Sequence, residues 1–251
     1  MYQYQEGQES VILGLYAAAN GMRSMEDRQT IVANNLANVS TPGFRAQRAV
    51  VNGFNEMLTE RTRHPFLFDQ AGAPGGGVKL VETYTNTNSG MVQATGDPLT
   101  IALQGPGYIA VDTPQGERFS RNGQFTVDAD GQLATTEGYK IQNAGGGGID
   151  AMGASVQIGP DGLVVVDGVQ TGQLRLVEFQ DPHLLTRLGH DMYGASEEAM
   201  NQSASATETQ VMHKAIEGAN VSLPYELTQM TLGLRAYGAN QRVISAINET
   251  L

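Results

Sequence analysis

The side chains that most often perform catalysis or bind metals are few in this chain and poorly spaced. No two of its four histidines stand in the i, i+4 relation that places two ligands on one helix face, and no other metal-ligand spacing is present. The absence of cysteine excludes thiol catalysis, disulfides and cysteine-type zinc sites. We therefore expect no enzymatic activity, no cofactor and no metal site. The histidines are His64, His183, His190 and His213.

Three glycine-rich segments resemble ligand-binding loops but fail in detail. In Gly72–Lys79, Val78 interrupts the phosphate-loop pattern and Leu80 stands where Ser or Thr is needed, so we predict a flexible linker. In Asp128–Gly131 the glycine comes two positions too early for an EF-hand, which favours a hairpin turn. Gly145–Asp150 fits one copy of a calcium-binding β-roll repeat, and one copy cannot build that site. All three are predicted to be loops or turns.

The charge distribution argues against nucleic acid and anionic membranes as partners. The formal net charge is −11, and residues 46–216 hold 10 Lys/Arg against 19 Asp/Glu. Binding to phosphate backbones or anionic lipids depends on Lys and Arg, which are in deficit here. No window of about 18 apolar residues predicts a membrane-spanning helix. The start of the chain carries no Sec-type signal pattern, so export would follow another route.

The elements that dominate the sequence lie at its two ends. Residues 10–45 predict a helix with an apolar stripe at coiled-coil spacing. Ser10 is a suitable N-cap, and the helix should end before Pro42 and Gly43. The stripe residues are Leu15, Ala18, Met22, Met25, Gln29, Val32, Leu36 and Val39.

Residues 217–251 predict a second helix with the same spacing, begun by Pro224 in its first turn. Each stripe contains one glutamine in its body, Gln29 and Gln241, and one hypothesis is that the two meet. Two interpretations stay open: ordinary amphipathic helices on a globular core, or helices that become ordered when they pack on partners. The second stripe consists of Leu223, Leu227, Met230, Leu234, Tyr237, Gln241, Ile244, Asn248 and Leu251.

The middle of the chain predicts an antiparallel β domain. Alternating patterns mark strands at 99–103, 108–111 and 125–127, and Gly-containing turn signals separate them. Residues 196–210 are predicted to form an exposed loop. Arg118 and Arg121 could bridge to a neighbouring subunit or lie on a solvated strand edge.

Three segments, in the right order, resemble the bacterial flagellar rod and hook family. The run Ala33–Phe44, with sequence ANNLANVSTPGF, is similar to its N-terminal signature, and 217–245 is similar to its C-terminal helix. Residues 97–108 and 118–125 are similar to its central strands.

The resemblance implies an α+β fold, with N- and C-terminal α-helices forming a coiled-coil-like layer and an antiparallel all-β domain inserted between them. The expected divisions are 1–45, an N-terminal inner-layer helix; 46–95, a linker and β entry segment; 96–216, the β domain; and 217–251, the C-terminal helix that pairs with 10–45.

The function implied is a structural subunit of the basal-body rod, which polymerises through its terminal helices into the tubular drive shaft that transmits torque for motility. Its partners would be itself, other axial proteins of the rod and hook, and the flagellar type III export apparatus. Its place would be the periplasm-spanning rod. The residues implied in assembly are Leu15, Met22, Asn34, Asn35, Leu36, Asn38, Thr41, Pro42, Gly43, Phe44, Asn220, Val221, Leu227, Met230, Leu234, Arg235, Tyr237 and Ile244.

Within that family the chain is most similar to the proximal-rod, FlgF-type member, and the distal-rod, FlgG-type member is the alternative. The distal type carries a longer insertion after the first helix, where residues 54–78 are short here, and the first nine residues are an addition to the pattern. A function of another class, a monomeric extracellular β-rich binding or glycan-processing protein, predicts a cleft with paired carboxylates.

Overall fold

The computed structural model describes residues 2–52, 79–153, 155–189 and 191–250. The predicted linker at 72–78, the segment 54–78 and the histidines His64 and His190 lie outside the described residues. Two long helices stand at the ends of the chain, α1 (Tyr2–Ala37) and α3 (Leu223–Thr250), and a short helix, α2 (Glu197–Asn201), precedes the last strands.

In the part of the chain that the structure describes, eighteen strands lie between the long helices. They are β1 (Gln47–Asn52), β2 (Lys79–Thr85), β3 (Val92–Ala94), β4 (Ile101–Gln104), β5 (Tyr108–Thr113), β6 (Gly116–Ser120), β7 (Phe125–Val127), β8 (Leu133–Thr135), β9 (Lys140–Ile141), β10 (Val156–Ile158), β11 (Leu163–Val166), β12 (Val169–Gln173), β13 (Leu176–Phe179), β14 (Leu185–Gly189), β15 (Met192–Ala195), β16 (Ser203–Ser205), β17 (Gln210–His213) and β18 (Ala215–Glu217).

The chain divides into two compact units. The helical unit consists of Met1–Ala37, Gln47–Tyr84 and Ser222–Leu251, and the β unit consists of Asn38–Ala46 and Thr85–Val221. The α+β class is therefore confirmed, with helices at both ends of the chain and an antiparallel β region between them in sequence.

In the helical unit, α1 and α3 pack against each other in opposite directions. Gly14 of α1 lies beside Ile247, Gly21 beside Asn240, and Gln29 beside Gly233. β1 and β2 form a two-stranded sheet in the same unit. No helix in the described part of the chain is long and apolar enough to cross a membrane.

The β unit is built from antiparallel hairpins. Its largest sheet runs in the order β14-β15-β6-β5-β9-β8-β7, and β13 pairs with β5 and β16. A separate sheet runs in the order β10-β11-β12, and the two-stranded sheets β17-β4 and β18-β3 bring late strands back to early ones. The predicted strands at 108–111 and 125–127 are confirmed, and the strand predicted at 99–103 is present but begins at Ile101.

Two apolar clusters fill the β unit. The larger lies around Ile101, Ile109, Leu133 and Val164. The smaller contains the aromatic residues Tyr108, Phe119, Phe179 and Tyr193, with edge-to-face contacts between rings 4.9–5.8 Å apart. Rings arranged this way add about 0.5–1.5 kcal/mol per pair to the burial of their surface.

Three local predictions were wrong. The first helix begins at Tyr2, so Ser10 lies inside it and is not its N-cap. Residues 196–210 are not a plain loop, because Ser196 caps α2 by accepting a hydrogen bond from the Ala199 N–H at 3.2 Å, and β16 follows. Gln29 lies opposite Gly233, and Gln241 is exposed about 12 Å further along α3.

Candidate assembly site: the chain ends and their attachments

The predicted assembly residues of α1 lie mainly on its packed side. Leu15, Met22 and Leu36 are half-buried, while Asn34 is exposed. Ala18 and Val32 of the same stripe are buried. The predicted stripe of α1 therefore matches the side of the helix that is removed from water.

On α3 the packed face is displaced from the predicted stripe. Met230, Tyr237 and Ile244 are half-buried, but Leu227, Leu234 and Arg235 are exposed. The residues that meet α1 are smaller or more polar. Gly233, Asn240 and Ile247 recur every seven positions and lie beside Gln29, Gly21 and Gly14, and Arg28 donates to Oε1 of Gln229 at 2.6 Å.

Glycine allows this close approach. A Cβ on Gly21 would lie 2.8 Å from the Asn240 side chain, and one on Gly233 would lie 2.8 Å from Oε1 of Gln29. Gly14 and Gly21, seven residues apart, could have indicated this contact face from the sequence. A search for large apolar residues does not detect them.

Polar contacts fix the ends of the two helices within the helical unit. The buried Asn35 side chain donates to the Gln47 carbonyl and accepts from the Gln47 N–H, both at 2.9 Å. The guanidinium of Arg48 pairs with the buried carboxylate of Glu226 at 2.7 Å and lies 4.7 Å from the Tyr225 ring centroid. Asn35 thus holds the first residue of β1 against the last turns of α1.

The segment that follows α1 is an ordered part of the β unit. The Thr41 hydroxyl donates to Oδ1 of Asn38 at 3.3 Å, and the Gly43 N–H donates to the Glu217 carbonyl at 2.8 Å. Gly43 has φ 69°, and a Cβ there would lie 2.5 Å from the Arg121 backbone, so the position requires glycine. Pro42, just before it, is half-buried.

Phe44 anchors this segment. Its side chain is buried, and the Arg187 guanidinium carbon lies 3.9 Å from its ring centroid. Arg187 also donates to the Arg45 carbonyl at 3.0 Å. The predicted turn residues 41–44 therefore attach the chain to its own β unit.

Asn220 connects three segments of the β unit that are distant in sequence. Its side-chain carbonyl accepts from the Ala46 N–H at 2.6 Å. Its amide donates to the carbonyls of Asn86 at 2.9 Å and Asn88 at 2.7 Å. Ala46, Asn86 and Asn220 each lie within two residues of a point where the chain passes from one unit to the other. Val221, beside it, is half-buried and is the last residue of the β unit.

Glu217, Arg45 and Arg121 form a buried ionic cluster in the β unit. The Glu217 carboxylate pairs with Arg45 at 2.8 Å and with Arg121 at 3.3 Å, and it accepts from the Gly90 N–H at 2.9 Å. All three charged side chains are buried. Burial lowers the pKa of the Arg45 guanidinium, and the nearby charge of Arg121 lowers it further, whereas Glu217 opposes both.

Arg45 and Glu217 were not among the predicted site residues, and both alternatives for Arg121 were wrong. Arg121 is neither an intersubunit bridge nor an edge residue, since it is buried and donates to the Gly107 carbonyl at 2.9 Å and the Gly105 carbonyl at 2.8 Å. Arg118 instead donates to the backbone of its own hairpin. Arg121 and its partner Glu217 are 96 residues apart, so no local sequence pattern indicates that they pair.

These contacts hold the chain in place and offer no arrangement for a reaction. Among the described residues, no group of three or more His, Cys, Asp or Glu side chains could hold a metal ion. Asp128–Gly131 forms a turn in which Oδ1 of Asp128 accepts from the backbone of Asp130 and Gln132, as the hairpin prediction requires.

Comparison with protein-family models gives three matches that span both ends and the middle of the chain. Residues 15–45 match the model described as flagella basal body rod protein, and residues 102–166 match the flagellar hook protein FlgE/F/G D1 domain. Residues 212–251 match the flagellar basal body rod FlgEFG protein C-terminal model.

Curated relatives align over nearly the whole chain. The flagellar basal-body rod protein FlgG of Bacillus subtilis is 30% identical, over 96% of this chain and 97% of that protein. The chain belongs to the flagellar basal-body rod protein family. The FlgG protein of Caulobacter vibrioides is 31% identical over 94% of this chain and 96% of its own length.

A rod protein named FlgF, from Rhizobium meliloti, is 29% identical over 89% of this chain and 88% of its own length. Because relatives of both names match this rod-family chain, its assignment to the proximal-rod type stays a prediction. The contacts of Glu217 with Gly43 and Arg45 join residues of the first and last matched segments of this family member.

Proposed function

We propose that this chain is a structural subunit of the flagellar rod and polymerises through α1 and α3 into the tubular drive shaft that transmits motor torque. The two helices form a coiled-coil-like inner layer in many copies. Its partners are further copies, other axial proteins of the rod and hook, and the type III export apparatus. That apparatus delivers it to the periplasm-spanning rod.

The observation that carries this proposal is the surface of α3. At 3.6 residues per turn, Leu223, Leu227 and Leu234 lie about a quarter to a third of a turn to one side of the face that meets α1. Leu232 and Val243 lie about a quarter turn to the other side. All five are exposed, and Leu234 is 58% exposed.

The remaining face of α3 is polar. Thr231, Arg235, Arg242 and Glu249 lie roughly opposite the face that meets α1, and all are exposed. A helix that packs on a single core has one apolar stripe. Two further apolar stripes, separated by a hydrated face, fit a helix with a neighbour on each flank, as in a tube of repeated subunits.

A charge on one of these stripes tests the proposal. We expect Leu234→Asp to abolish motility in a strain that lacks its own copy of the gene, because the variant cannot enter the helical layer. Leu36→Asp should do the same from α1. Thr231→Asp, one turn away on the polar face of α3, is the matched control and should leave motility intact.

The β unit of each variant should stay folded, as judged by near-ultraviolet circular dichroism. Normal motility with Leu234→Asp would refute the inner-layer assignment. Among the described residues, no observation favours the alternative of a monomeric binding or glycan-processing protein.

A further inference from the structure

The exposed large apolar side chains of the β unit include Met91, Val127 and Leu188, and two further positions differ in the charged groups near them. At one, Met152 is 69% exposed and Val169 is 66% exposed. At the other, Met212 is 41% exposed on β17. Contiguous exposed apolar patches rimmed by polar residues mark interaction surfaces, whereas apolar side chains scattered singly over a surface are normal.

Met152 and Val169 lie together at a tip formed by two turns. Met152 packs over the 128–131 turn, because a Cβ on Gly131 would lie 2.5 Å from its Cε. A Cβ on the next residue, Gly153, would lie 2.3 Å from Cγ1 of Val166, whose antiparallel partner is Val169. The two exposed side chains therefore flank the 166–169 hairpin turn.

Carboxylates surround this tip. Asp128 and Asp130 come from the first turn, Asp150 precedes Met152 by two residues, and Asp167 lies in the hairpin turn. Lys140 is the cation among them, at 2.9 Å from Asp130 and 3.8 Å from Asp128. We name Asp128, Asp130, Asp150, Met152, Asp167 and Val169 the acidic patch.

Lys214 gives the other position its charge. Of the seven Lys and Arg residues in the β unit, it is the one whose side chain forms neither an ion pair nor a hydrogen bond with any residue that the structure describes. It is exposed, and its φ of 59° places it in the left-handed region that a side chain rarely adopts. We name Met212 and Lys214 the basic patch.

The two patches lie at opposite ends of the β10-β11-β12 sheet. The acidic patch adjoins the end where Val156 pairs with Val166. The basic patch adjoins the other end, where the Val211 N–H donates to the Pro160 carbonyl at 2.9 Å. From Ser155 to Pro160 the chain advances roughly 16 Å at the usual rise of a strand.

We propose that the acidic patch of one copy docks on the basic patch of the next copy, so that β units join head to tail. Sixteen carboxylates against seven Lys and Arg in the β unit make unspecific contacts between copies repulsive. The basic patch, in which the unpaired Lys214 lies near the exposed Met212, is therefore the surface of a second copy that complements the acidic patch. A contact that uses different patches on its two sides repeats without closing, as a filament requires.

This inference rests on the proposed function and adds a second contact to it. It is tested with the full chain, in which every thiol can be placed at will because the native sequence has no cysteine. The variant Val169→Cys/Met212→Cys is oxidised at low salt and separated on a non-reducing gel. We expect a ladder of covalent species with three or more copies.

The charges provide the specificity test. Adding Lys214→Glu should lower the fraction of cross-linked chain at least about tenfold, and Asp150→Lys on top of it should restore the ladder, since like charges at an interface repel. The control pair Thr136→Cys/Met212→Cys, with an exposed position outside the acidic patch, should give no ladder.

Monomers or dimers alone from Val169→Cys/Met212→Cys would overturn the inference, as would an equal ladder from the control pair. Either result is distinct from a failure of the rod assignment. A chain that gives no ladder, but whose Leu234→Asp variant still blocks motility, keeps its helical layer and loses only the contact between β units.

Discussion

At the residue scale, the attachments of the chain ends depend on side chains that satisfy buried backbone groups. Asn220 is a clear case, because its side-chain amide bonds to the backbone of Ala46, Asn86 and Asn88. A buried N–H or carbonyl that loses its partner costs about 1–3 kcal/mol, whereas an exposed one is rehydrated at little cost.

We expect Asn220→Ala to lower the free energy of unfolding of the β unit by about 1–3 kcal/mol, since the Ala46 N–H and the Asn86 carbonyl lose this partner. Urea unfolding followed by tyrosine fluorescence measures the change. Asn201→Ala, at an exposed position, is the control and should change stability by less than about 0.5 kcal/mol. Equal effects from the two variants would show that the Asn220 contacts contribute nothing particular.

The Tyr193 hydroxyl links the stability of the β unit to alkaline pH. Burial raises the pKa of Tyr193 from 10.0 to about 12, and its hydroxyl has no hydrogen-bond partner among the described residues. The folded state thus holds its proton where the unfolded chain releases it. The stabilisation that the Tyr193 hydroxyl contributes is fully present below pH 10 and is lost as the pH rises toward 12.

We expect Tyr193→Phe to reduce the decline in stability between pH 10 and pH 12 by about 2–3 kcal/mol, with little change at pH 8. Urea midpoints across this range measure it. The exposed Tyr225→Phe is the control and should keep the full decline. A Tyr193→Phe variant with the native alkaline profile would contradict the assignment.

At the element scale, the sequence predicted the helices and strands better than it predicted their faces. The apolar stripe of α1 was found because Ala18, Val32 and Leu36 bury apolar surface. On α3 the face that meets α1 carries Gly233 and Asn240, which hydrophobicity alone does not identify. Hairpins such as β5–β6 follow local turn signals, whereas the pairing of β4 with β17 joins strands more than 100 residues apart.

Gly233 and Gly238 allow a matched test of the α1–α3 contact. Leu in place of Gly raises intrinsic helix stability by roughly 0.8–1 kcal/mol at an open position. Gly238 has nothing within 4 Å of a built Cβ, while at Gly233 that atom would lie 2.8 Å from Gln29. We expect Gly238→Leu to raise helicity in circular dichroism and Gly233→Leu to lower it. Equal gains from both would mean that α1 and α3 do not pack at Gly233.

At the scale of the whole molecule, the two units differ in how much apolar surface each buries within itself. The β unit buries two apolar clusters and an ionic cluster, whereas the helical unit leaves the leucines of α3 in water. An exposed apolar surface of this kind gains its stabilisation only when a neighbour covers it. Unassembled subunits should therefore hold a firm β unit and weakly protected helices.

Hydrogen exchange of the unassembled chain tests this difference between the units. We expect amides of α1 and α3 to exchange at least about a hundredfold faster than those of β5 and β6, because opening the helical unit exposes little new apolar surface. The same helices should become protected in assembled rods, where neighbouring copies cover Leu227 and Leu234. Strong protection of α1 and α3 in the isolated chain would mean that the helical unit is stable alone, and the exposed leucines would then need another explanation.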